Sequence, residues 1–73
     1  MANALQERYA EMLLDRIRSE NYPSATYMDM LESVASPQVL VEFVLYLMDR
    51  IEADDYPSIP MMARAQRLMA QFG

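Results

Sequence analysis

The sequence predicts an all-α fold, a four-helix bundle built from two tandem αα-hairpins, and three observations carry that expectation. Apolar residues recur at helical intervals, and no alternating run marks a strand. Proline and serine punctuate the chain at short distances, the signature of brief connections between antiparallel helices. The chain also repeats itself: Leu13, Asp15-Arg16-Ile17, Tyr22-Pro23-Ser24 and Met28 return 34 residues later as Leu47, Asp49-Arg50-Ile51, Tyr56-Pro57-Ser58 and Met62. Like-for-like pairs surround the identities, among them Leu5 with Val39, Tyr9 with Phe43, Leu14 with Met48 and Val34 with Leu68. The expected organisation is therefore one domain, 1–73, with hairpin 1 at about 3–36 and hairpin 2 at about 37–73.

The first helix is expected over about Asn3 to Glu20, where Leu5, Tyr9, Met12, Leu13 and Ile17 share one apolar face. No glycine closes it, so Asn21, and Asp55 in the second hairpin, are expected to end their helices in the left-handed conformation. Pro23 disfavours helical geometry at Tyr22, and the Ser24 hydroxyl suits the N-cap of the second helix, with Pro23 and Met28 at the positions of a hydrophobic staple. The second helix is expected from Ala25 to Ala35, burying Tyr27, Met28, Leu31, Val34 and Ala35. Ser36 followed by Pro37 reads as an N-cap with proline at the first helical position, opening the third helix at Pro37 to Ala53. Ser58 caps the fourth helix, about Ile59 to Phe72, whose inner side is read as Met61, Met62, Ala65, Leu68, Met69 and Phe72. Asp15 and Asp49 are expected to accept hydrogen bonds from Tyr56 and Tyr22 of the opposite hairpin, fastening the two halves.

The period equals that of the tetratricopeptide repeat, about 34 residues, but that family's tryptophan and glycine are missing from the first helix, and its proline follows the second helix. Here Pro23 and Pro57 lie between the helices of a unit, which favours a compact bundle. Asp-Arg-Ile followed four residues on by Tyr-Pro-Ser, at 15–24 and again at 49–58, resembles a pattern in short actinobacterial helical proteins. The resemblance covers mainly Leu13 to Met28 and its repeat, and brings no activity or site with it.

At 73 residues the chain can bury about 60% of its unfolded surface, which leaves a marginal core. With no cysteine there is neither a disulfide framework nor a thiolate metal site to supplement it, so self-association is an expected remedy. The start lacks a basic region followed by an apolar stretch, and the apolar run from Phe43 to Met48 is far shorter than the ~20 residues of a bilayer span. A soluble, cytoplasmic protein without membrane attachment is expected. The net charge of −5 disfavours nucleic acid, because phosphate binding depends on clustered cations.

The inventory of reactive groups points away from an enzyme. No histidine supplies a base near neutral pH, no lysine is present to activate a serine, and a single glycine forms no phosphate loop. Glu52, Asp54 and Asp55 lack the spaced oxygens and the turn glycine of a calcium loop and read as a solvated helix end. No cofactor, metal or small-molecule ligand is expected.

Function is sought where the copies differ. Gln6, Glu7 and Glu11 become Leu40, Val41 and Leu45, so Val41, Leu45 and Met48 form a second apolar stripe on the third helix. A helix apolar nearly all round is either enclosed or covered by a partner, and a two-fold homodimer through this stripe is the favoured explanation over burial within the chain. Asp29, Met30, Glu32 and Ser33 become Ala63, Arg64, Gln66 and Arg67, turning an acidic face basic and nominating Arg64 and Arg67 as partner-binding residues. The eight methionines suit irregular core gaps or an adaptable groove for apolar peptides. The expected function is a non-catalytic protein-interaction or small assembly module that self-associates through the third helix. The alternative is a regulator of nucleic-acid transactions, acting as a helix-turn-helix reader or as an acidic mimic.

Overall fold

The computed structural model describes residues 4–72, and over these the chain is all-helical, with no strand. Its helices are α1 (Ala4–Arg18), α2 (Ala25–Val34), α3 (Pro37–Ala53) and α4 (Ile59–Met69). The chain gathers into two compact units, Met1–Leu40 and Val41–Gly73, and the division falls inside α3. Asn3, the expected start of the first helix, lies outside the described residues.

In the first unit α1 packs against α2. The Gln6 Nε2 donates to the Val34 carbonyl at 3.3 Å, tying the beginning of α1 to the end of α2 and marking the two helices as antiparallel. That bond also satisfies a carbonyl that the end of α2 would otherwise leave to water. The buried face of α1 is Ala10, Leu13, Leu14 and Ile17, and α2 adds Met28 and Leu31. Leu5, Tyr9 and Met12, expected inside, are instead 81%, 38% and 54% exposed. The small Ala10 and the adjacent Leu14 turn the helix so that the face centred on 10, 13, 14 and 17 is enclosed, which leaves the 5, 9 and 12 side beside it. Tyr27, Val34 and Ala35 are only half-buried.

The connections follow from local hydrogen bonding. Ser24 is extended, with φ −68° and ψ 134°, and its hydroxyl accepts from the Thr26 N–H at 3.1 Å and the Tyr27 N–H at 3.4 Å. Ser36 accepts from the Val39 N–H at 3.3 Å at the start of α3. Because Pro37 follows, Ser36 is held out of helical geometry, and α2 stops at Val34 with Ala35 as its C-cap rather than as its last residue. No described residue has positive φ, so neither Asn21 nor Asp55 forms the expected left-handed cap. At α1 the last carbonyls are taken otherwise: Ser19 N–H reaches Asp15 and Arg16, its hydroxyl donates to Arg16 O at 2.8 Å, and Glu20 N–H reaches Ile17. These tightened bonds also end α1 at Arg18, two residues before the expected Glu20.

In the second unit α3 buries Phe43, Val44 and Leu47, and α4 buries Met61, Ala65 and Leu68. Met62, Met69 and Phe72, expected on the inner side of α4, are exposed. Helix α4 ends at Met69 rather than Phe72, because Gln71 and Phe72 donate to the carbonyls of Leu68 and Met69 in a tighter turn. Its N-cap Ser58 accepts from the Met61 N–H alone, at 3.2 Å. The amide that Thr26 offers in the first unit is missing at the matched Pro60, which has no N–H.

Tyr22 and Tyr56 are 90% and 94% exposed. Within α1 and its end, Asp15 faces Arg18 at 3.9 Å, and Arg16 approaches Glu20 at 3.8 Å. Among the described residues every buried side chain of the core is apolar.

Candidate protein interface

The α3 stripe read from the sequence lies at the surface. Val41, Leu45 and Met48 are 44%, 54% and 40% exposed, against complete burial of Phe43 and Leu47 on the same helix. The two groups occupy different sides because their angular positions differ: 41, 45 and 48 fall on one line of a 3.6-residue helix, and 43 and 47 on another. Exposed carboxylates border the stripe, with Glu42 and Asp49 along one side and Glu52 continuing its line. Leu40, which heads the same apolar segment, is buried. The stripe is thus a solvent-exposed apolar line with an acidic border.

Tyr46 stands on the same helix, half-buried, with its ring stacked against Phe43 at 6.4 Å between centroids. Burial pushes its phenol above the ordinary tyrosine value, the Arg50 cation opposes this, and the Asp54 carboxylate reinforces it. The phenol is therefore neutral at physiological pH.

Arg64 and Arg67 both stand on α4, the first half-buried and the second exposed. Ser24, Ser36 and Ser58 all spend their hydroxyl oxygens on backbone amides at helix starts. Among the described residues no three carboxylates gather closely enough to hold a metal ion, and no helix is long and apolar enough to cross a membrane.

Sequence reasoning missed a second surface. In the first unit, α1 and α2 enclose an open groove of about 530 Å³, lined by Tyr9, Met12, Tyr27 and Met30, with Asp15, Arg16 and Ser19 at its edge. It adjoins a second hollow along α1, where Leu5 and Arg8 meet Tyr9 and Met12. The signal was present: Leu5, Tyr9 and Met12 lie to one side of Ala10, Leu13, Leu14 and Ile17, too far round to share a single buried face.

No protein-family model, curated protein or solved structure matches the chain. The stripe and the groove therefore stand on their own chemistry.

Proposed function

We propose that this all-helical chain is a four-helix bundle of two tandem αα-hairpins built on one 34-residue repeat, and that it serves as a non-catalytic protein-interaction or small assembly module. It self-associates through α3, at Val41, Leu45 and Met48. The observation that carries this reading is the exposure of these three side chains on one line of the longest helix, while their neighbours Phe43 and Leu47 are fully enclosed. Leaving three apolar side chains in line and exposed on a chain of 73 residues forgoes burial that so small a core needs, and a partner restores it. Arg67, with Arg64 beside it, is a secondary contact for an acidic partner surface.

The test is Leu45→Asp, measured by light scattering for mass and by circular dichroism for helix content. Because Leu45 is more than half exposed, the expected outcome is an intact helical fold with the oligomer reduced to monomer. Unchanged mass in the variant, or a wild-type protein that is monomeric at every concentration, would refute the reading.

A further inference from the structure

The apolar stripe of α3 has a counterpart on α1. Leu5, Tyr9, Met12 and Arg16 stand at i, i+4, i+7 and i+11 of α1, and Val41, Leu45, Met48 and Glu52 stand at the same intervals of α3. Each set falls on one line of its helix, and all eight side chains are exposed. The fourth member is the telling one. It is a cation at the edge of the α1–α2 groove and an anion at the end of the α3 stripe.

We infer that the surface α3 meets is the α1–α2 groove of a second copy of this chain, with the two helices parallel; this rests on reading α3 as the association face. Leu5 then lies opposite Val41, Tyr9 opposite Leu45 and Met12 opposite Met48, and Arg16 closes on Glu52. Tyr27 and Met30 of α2 form the far wall that turns a helix-on-helix contact into helix-in-groove docking. Arg16 is available for this, since its contact to Glu20 is a 3.8 Å approach between exposed side chains. Reversing the direction would set Arg16 against Val41 and Glu52 against Leu5, leaving both charges on apolar surface without a partner. Pairing α3 with α3 in parallel would stack Glu52 on Glu52, and in antiparallel it would set Glu52 against Val41 and bring the acidic borders at Glu42 and Asp49 together, so either direction is unfavourable. The α1 line offers the opposite charge at the matching position, Arg16, with Arg8 and the carboxylate of Asp15 on the flank that faces Glu42 and Asp49. The contact joins two different patches, so each copy contributes a stripe and a groove.

Charge exchange in the full-length protein tests this, because both positions are exposed and their reversal leaves the core untouched. Self-association is measured by sedimentation velocity over a concentration series. Arg16→Glu and Glu52→Arg should each weaken it roughly fivefold or more, the scale of losing one exposed pair. The double variant should return towards the wild-type constant. A mixture of Leu45→Asp with Met12→Asp, each monomeric alone, should yield a one-to-one complex, because one variant keeps its groove and the other its stripe. If Arg16→Glu and Met12→Asp associate like the wild type while Leu45→Asp does not, the groove assignment is overturned and α3 remains the association face. If the wild type is monomeric throughout, both the groove and the association reading fall.

Discussion

Helices α1 and α3 use closely matched sequence to bury different faces. At the pairs Ala10 with Val44 and Leu13 with Leu47 both helices are enclosed. From that shared centre α1 extends its buried side towards its C-terminus through Leu14 and Ile17, whereas α3 extends its own towards its N-terminus through Val39, Leu40 and Phe43. The consequence falls on the outward sides: Leu5 and Tyr9 are surface residues where Val39 and Phe43 are core, and Met48 is surface where Leu14 is core. Similar residues at matched positions thus acquire opposite roles because the helix is turned about its axis. Each helix is left with an exposed apolar line.

The largest test of this difference is truncation at a matched aromatic pair. Phe43→Ala should cost about 3–5 kcal/mol, enough to unfold a chain of this size, whereas Tyr9→Ala should cost about 1 kcal/mol or less. Urea denaturation followed by circular dichroism reads both. Equal losses would mean that the two helices present the same face after all.

The caps sharpen the comparison at smaller scale. Ser24→Ala removes an acceptor for two amides and should cost about 1 kcal/mol, while Ser58→Ala, serving one amide, should cost about half that. Pro60→Ala restores the missing donor at the second cap, and in that background the Ser58→Ala loss should rise towards the Ser24→Ala value. A loss unaffected by Pro60→Ala would show that the proline is not what separates the two caps.

The smallest effect is electrostatic and belongs to Tyr46 of the second unit. The folded Tyr46 phenol titrates above its unfolded value, so its contribution is fully present below the unfolded value, and stability falls as pH rises from there through the folded one. Tyr46→Phe should flatten that alkaline slope without changing stability's dependence on pH near neutrality. Thermal unfolding across an alkaline pH series checks it.

Much of the local structure was legible because short-range rules govern it. Pro37 to Ala53 was read at both ends correctly, since proline at the first helical position and the serine before it leave one start, and the apolar period runs unbroken to Ala53. The starts at Ala25 and Ile59 agree as well. The C-terminal ends of α1, α2 and α4 fall one to three residues early, at α1 and α4 because Ser19, Gln71 and Phe72 tighten a last turn and at α2 because Pro37 holds Ser36 out of the helix. The stripe at Val41, Leu45 and Met48 was visible as a departure between the copies. The α1–α2 groove was not, because Leu5, Tyr9 and Met12 fit a core pattern equally well, and Met30 enters only once α2 is packed alongside.

The sequence by itself determined that this protein is helical, where its serines and prolines interrupt the helices, and that its reactive groups are few. Those properties follow from backbone sterics, side-chain periodicity and residue chemistry within a few positions. Only the tertiary structure decided which apolar line of each helix is enclosed. Periodicity places side chains on lines, but an apolar side chain is buried only where another element covers it, and that depends on how helices pack.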